Sequence, residues 1–293
     1  MIVPDQKNIK VHFAGLETLH HLLIVDAADI NYCLFTVYPY IRKKNKLEDI
    51  QQSDMPIIAQ EKFRHCIMDS GLFTLMFGSE KGEKSESFLS FWTDKILKFM
   101  EVSNYTGTYV EVDCQKVLGV EQAWKYRQYM KENSKNRQIN VFHFEDGQKG
   151  LDRLIEYSDY IALSIPELRL LKKKDYTYRL ANYIKNKKPE IDIHLLGCTE
   201  YKMLKQLSFC SSSDSTSWLA CQIYGQLSLD TKRPTKNLDK VKIINRYKEK
   251  IESFTKYRGV NKITDTTYFY AASSILQCEY LKNKYERFGG DQN

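Results

Sequence analysis

The chain runs to 293 residues, 42% of them hydrophobic and 28% charged, which is too apolar for a disordered polypeptide and enough to bury a large core. Its 44 basic residues against 37 acidic ones give a formal charge of +7, and no apolar run reaches the length of a membrane span. The start, Met1 to Lys7, is polar and lacks the basic-then-apolar layout of a secretory leader, so a cytoplasmic protein with no membrane partner is expected.

Short β-rich runs alternate with amphipathic stretches along the chain. The predicted strands are Lys10 to Ala14, Tyr32 to Thr36, Cys66 to Met68, Thr108 to Val112, Ile139 to Phe142, Tyr160 to Leu163, Ile191 to Leu196 and Phe209 to Ser211. Helical spacing marks Phe88 to Val102, Val120 to Glu132, Gln148 to Tyr157 and Tyr176 to Lys187 between them. Eight βα units predict an α/β chain folded as a closed (β/α)8 TIM barrel. Ser217 to Leu227 reads as the last barrel helix, and Asp230 to Thr235 as a polar connection. Two further helices, about Leu238 to Phe254 and Thr264 to Tyr285, make a C-terminal helical extension, so the expected division is a barrel over 1–230 and a basic, aromatic extension over 231–293.

The seven cysteines (Cys33, Cys66, Cys114, Cys198, Cys210, Cys221, Cys278) are odd in number and scattered, as expected of reduced thiols. None are at Cys-x-x-Cys spacing and no histidine follows His194, so neither a metal nor a cofactor is expected. Basic residues gather at Lys172 to Lys174, Lys185 to Lys188 and Lys232 to Lys256. That distribution fits a nucleic-acid partner and equally fits solvated helix faces. The 20 tyrosines and 14 phenylalanines include candidates for base stacking, although aromatic residues mainly fill barrel and helix interfaces.

In a (β/α)8 barrel, reactive groups stand just beyond the carboxyl ends of the strands. There the third strand runs into Asp69-Ser70-Gly71, the fourth into Asp113, the fifth into His143 ahead of Glu145 and Asp146, and the eighth into Asp214. Each aspartate alone is explained as a turn or helix-cap residue. Three at matching strand ends are better explained as a site. His143 reads either as a packing residue or as a ligand contact.

At these residues the chain resembles the tRNA-guanine transglycosylase superfamily, in particular its smaller, zinc-free phage and mobile-element branch that inserts 7-deazaguanines into DNA. The resemblance covers roughly Ile9 to Trp218. Met68-Asp69-Ser70-Gly71-Leu72-Phe73-Thr74 is similar to the family's Asp-Ser-Gly-Gly-Phe-Gln segment, with Leu72 at the second glycine, and Glu111-Val112-Asp113-Cys114 to the segment whose Asp reads the purine. Val141 to Phe144 stands where the family has a strand leading to a base-binding Gln, which is absent here. Ala162-Leu163-Ser164-Ile165 is similar to the segment whose backbone touches the base. His194 to Thr199 and Ser212 to Ser215 resemble the Gly-rich turn, here with Gly197, and the nucleophile-bearing eighth strand.

The resemblance implies a pentosyltransferase that exchanges guanine for a 7-deazaguanine of the preQ0 type. Asp214 would be the nucleophile on C1′ and Asp69 the general acid and base. Asp113, His143, Ser70, Gly71, Ser164, Ile165 and Gly197 would form the base site. The zinc cysteines of the tRNA-acting enzymes are missing, which favours DNA as the partner over tRNA. Three alternatives stay open: a tRNA transglycosylase, a non-catalytic nucleic-acid-binding barrel, and an unrelated metal-dependent barrel hydrolase.

Overall fold

The computed structural model describes residues 9–72, 75, 85–173, 175–228, 232–260 and 263–286. Met1 to Lys7, Phe73 and Thr74 of the Asp69 motif, Lys174, and Asp230 and Thr231 of the polar connection lie outside the described residues.

Eight strands, β1 (Lys10–Ala14), β2 (Tyr32–Thr36), β3 (His65–Asp69), β4 (Thr108–Val110), β5 (Gln138–Phe142), β6 (Tyr160–Ser164), β7 (Asp192–Leu196) and β8 (Ser212–Ser215), form a closed barrel. Neighbours pair in parallel in chain order, and β8 returns to pair with β1. Parallel pairing forces a crossover after each strand. The crossovers contain α1 (Leu19–Ala27), α2 (Tyr38–Ile41), α3 (Asp54–Lys62), α4 (Glu86–Val102), α5 (Gln115–Leu118), α6 (Val120–Glu132), α7 (Gly147–Tyr157), α8 (Ile165–Leu170), α9 (Tyr176–Lys187) and α10 (Tyr201–Gln206). The fold is the expected (β/α)8 barrel.

Local chemistry accounts for the elements. In α4 the Ser85 hydroxyl accepts from the Phe88 N–H at 3.2 Å, satisfying an otherwise orphaned donor. Leu89, Trp92, Ile96 and Phe99 then recur on the face that packs against the barrel. Along each strand the side chains alternate. One set, Ala14, Leu34, Ile67, Val110, Ile139, Val141, Tyr160 and Ala162, fills the barrel interior, and the other packs under the helices.

Three expected elements are corrected, two of them at the closing end of the barrel. The eighth strand lies at Ser212–Ser215 instead of Phe209 to Ser211, so Asp214 sits within the strand. Its run of serines and an aspartate has low β propensity, but burial between β1 and β7 overrides that preference. The expected last barrel helix, Ser217 to Leu227, is a 3-10 turn (Ser217–Leu219) followed by the one-turn α11 (Ala220–Ile223). Gln226–Ser228 instead pairs antiparallel with Lys232–Pro234 as a short ribbon. Beyond it come α12 (Lys240–Glu252) and α13 (Asp265–Glu286). From α13, the Tyr285 ring packs on Phe13 of β1 and its hydroxyl bonds Ser215 of β8, so this helix covers the seam where the barrel closes.

Strand β4 stops at Val110, two residues short of expectation, because Glu111 takes over the pairing. Its carboxylate accepts from the Val141 N–H (2.9 Å), from Asn140 Nδ2 (2.6 Å) and from both Nε and Nη2 of Arg127 (2.6 Å each). Glu111 and Arg127 are each about 1% exposed. All seven cysteines are buried, and none forms a disulfide. No helix among the described residues is long and apolar enough to cross a membrane. Removing one partner of a buried ion pair strands the other charge. Arg127→Met is therefore expected to lower stability by ~3–5 kcal/mol in urea denaturation.

Candidate active site

Asp69 closes β3 on the inward alternation, two residues beyond Ile67. Its Oδ1 accepts the Gly71 N–H at 2.8 Å. Gly71 makes this turn with φ +71°, and a Cβ there would lie 2.7 Å from Tyr38 Cβ and 2.9 Å from Thr36 Oγ1. Burial raises the Asp69 carboxyl to about 7 despite that N–H, and the nearby Asp113, Asp214 and Glu17 carboxylates add to the rise. The aspartates of three strand ends thus converge closely enough to act on one another.

Asp113 belongs to a second cluster. Its Oδ2 lies 2.9 Å from His143 Nε2, and His143 Nδ1 lies 2.9 Å from Glu167 Oε2. Lys116 Nζ stands 2.8 Å from the other Glu167 oxygen. Burial opposes a charge on His143, but the hydrogen bonds and charges of the two carboxylates outweigh it and raise the ring to about 10. His143 is therefore an imidazolium with both N–H groups donating. Burial works against the Glu167 anion too, yet His143 and Lys116 hold that carboxyl below its ordinary value.

These residues line a pocket of about 570 Å³, walled by Leu72, Asp113, Lys116, Val117, His143, Ser164, Pro166, Glu167, Arg169 and Leu170. That is the size of a small-molecule site. Ligand atoms of His143, Glu145 and Glu167 fall within 4.8 Å of one another, close enough to hold a cation. Both His143 nitrogens already serve carboxylates, so a cation would have to displace a proton and one of those contacts.

Asp214 stands on β8 beside the Gly197 turn. Its Oδ1 accepts from the Gly197 N–H at 2.7 Å and lies 3.2 Å from His194 Nε2. His194 Nδ1 is 2.6 Å from Ser212 Oγ, which also bonds the Tyr160 hydroxyl. Deeper in the barrel, His12 Nε2 meets His65 Nδ1 at 2.8 Å, and His65 Nε2 meets Thr108 Oγ1 at 2.8 Å.

Of the residues expected from sequence, Asp113, His143 and Ser164 share the pocket wall. Asp69 and Asp214 couple to Asp113 electrostatically but are not among the pocket's lining residues. Gly71 and Gly197 each present an N–H to an aspartate. Ser70 is spent on structure, its carbonyl accepting from Trp92 Nε1 and its hydroxyl from the Leu72 N–H. Ile165 is buried at the start of α8 and does not line the pocket. Glu145 is exposed, and Asp146 accepts the His143 N–H. Sequence reasoning missed Glu167, Lys116 and Glu17. The available signal for Glu167 was Pro166 opening a helix just after a strand end, which sets the next side chain over the rim.

No protein-family model and no curated protein matches this chain.

Two outcomes follow from the geometry. Gly71→Ala is expected to cost ~1–3 kcal/mol in thermal or urea melts, because it combines positive φ with a clash against Tyr38 Cβ and Thr36 Oγ1. Burial, with neighbouring Arg137 and His194, pushes His65 down to about 4, and burial with His65 and His194 holds His12 well below the ordinary value. The unfolded chain binds protons near pH 6.5 that the fold refuses, so this stability is present above about 6.5 and falls as the pH drops toward 4. His65→Gln should flatten the loss, by on the order of 2 kcal/mol, when melts are compared at pH 7.5 and 4.5.

Proposed function

We propose that the protein is a base-exchange transglycosylase that replaces guanine in nucleic acid, with DNA as the favoured polymer and a 7-deazaguanine as the incoming base. The observation that carries this reading is the pairing at one rim of a carboxyl that keeps its proton to about pH 7, Asp69, with a second aspartate, Asp214, held by fixed donors. Retaining exchange at a glycosidic carbon needs such a pair, one acid and one nucleophile.

In the first step an Asp214 carboxylate oxygen gives an electron pair to C1′ as the C1′–N9 bond breaks. The bonding pair leaves with the guanine, which takes the Asp69 proton. In the second, Asp69 takes a proton from the incoming base, whose nitrogen attacks C1′ and returns the pair to the Asp214 carboxylate. Base pairing hides C1′ in a duplex, so the target nucleotide is taken flipped or single-stranded.

The pocket beside these aspartates would hold the base. Asp113 Oδ2 carries one hydrogen bond from His143, and a carboxylate oxygen accepts two. Asp113 therefore retains acceptors for the N1 and N2 protons of guanine, a donor pair that adenine lacks. Exposed Lys240, Lys242 and Lys248 on α12 are candidates for phosphate contact. The cluster of His143, Glu145 and Glu167 favours a second reading, a cation-dependent hydrolase.

Purified protein offered radiolabelled guanine or preQ0 together with double-stranded DNA, single-stranded DNA or tRNA is expected to transfer label to DNA, and Asp214→Asn to abolish transfer. The rate should fall above about pH 7 as Asp69 loses its proton. Label entering tRNA alone would move the substrate to RNA. Polymer cleavage that depends on an added divalent cation, without label transfer, would favour the hydrolase.

A further inference from the structure

Asp214 is held asymmetrically. Both of its donors, the Gly197 N–H and His194 Nε2, converge on Oδ1, and among the described residues Oδ2 accepts no hydrogen bond. Resting on the reading of Asp214 as nucleophile, we infer that His194 is a positioning residue that fixes Oδ2 as the attacking oxygen.

The hydrogen-bond chain behind His194 fixes its direction. His194 is fully buried on β7, with Nδ1 2.6 Å from Ser212 Oγ and Nε2 3.2 Å from Asp214 Oδ1. Were the ring proton on Nδ1, the bare lone pair of Nε2 would face a carboxylate oxygen, which is repulsive. With the proton on Nε2, every contact is satisfied: the Tyr160 hydroxyl donates to Ser212 Oγ, Ser212 donates to Nδ1, and Nε2–H donates to Oδ1. The second-layer hydroxyls therefore select the tautomer that restrains the aspartate.

The consequence at the reacting atoms is specific. Oδ2 gives its electron pair to C1′ as the C1′–N9 bond breaks, with the proton delivered by Asp69. Oδ1 becomes the carbonyl oxygen of the sugar ester and keeps both donors. When the incoming nitrogen displaces the ester, the electron pair returns to a carboxylate whose Oδ1 is already solvated by Gly197 and His194. The donors need not move between the two half-reactions.

The test compares wild type, His194→Leu, His194→Gln and Ser212→Ala in the label-transfer assay, with melting temperatures alongside. The glutamine amide nitrogen reaches the position of Nε2 and donates regardless of Ser212. Leucine should lower kcat about 10- to 100-fold with KM within about twofold, a loss typical of a misplaced reacting group. Glutamine should restore most of it, and Ser212→Ala should lie between. Nitrogen NMR of the wild-type imidazole, which needs neither activity nor a variant, should find the proton on Nε2. A proton on Nδ1, or full turnover in the leucine variant, overturns the inference. Wild-type protein that transfers no base to any polymer removes the nucleophile reading itself, and the inference with it.

Discussion

The buried pair of Glu111 and Arg127 is the constraint on which the rim depends. A carboxylate with almost no exposure is tolerated only when its lone pairs are filled, and here a guanidinium fork, an amide and a backbone N–H fill them. By accepting the Val141 N–H, the Glu111 side chain stands in for a strand carbonyl and ends the backbone ladder between β4 and β5 at that point. The chain is then free to turn, and Asp113, two residues on, meets His143 from the next strand. One pair outside the barrel wall thereby sets the position of a carboxylate at its mouth.

The interior changes polarity in layers that the alternating side chains create. Its middle is aliphatic, its deeper layer carries His12, His65 and Tyr160, and its carboxyl end carries the aspartates. Neutral histidines are kept neutral by burial, whereas His143, also buried, is charged because two carboxylates bracket it. The same side chain is thus given opposite charge states at two depths of one barrel by its immediate partners.

Much of this was legible in the sequence. The strands at Lys10–Ala14 and Tyr32–Thr36 and the helices at Val120–Glu132 and Tyr176–Lys187 coincide with their expected spans, because apolar periodicity is strong there. The eighth strand lies beyond its expected span because its residues are polar on both faces, Ser212 and Asp214 inward and Ser213 and Ser215 outward, and carry no hydrophobic signal. The convergence of Asp69, Asp113 and Asp214 was foreseen from strand ends. The partners that set their properties were not: Arg127 lies 16 positions from Glu111, and Glu167 lies 24 from His143. Such pairs depend on which strands become neighbours, which local pattern does not encode.

The buried cysteines carry a consequence for the environments this chain tolerates. Burial pushes the thiols of Cys33, Cys114, Cys198, Cys210, Cys221 and Cys278 above their ordinary range. Oxidants and alkylating reagents attack the thiolate, and these groups present almost none at neutral pH. A single cysteine introduced on the surface would react almost alone, so a fluorophore or cross-linker could be placed beside the rim without first stripping the seven native thiols.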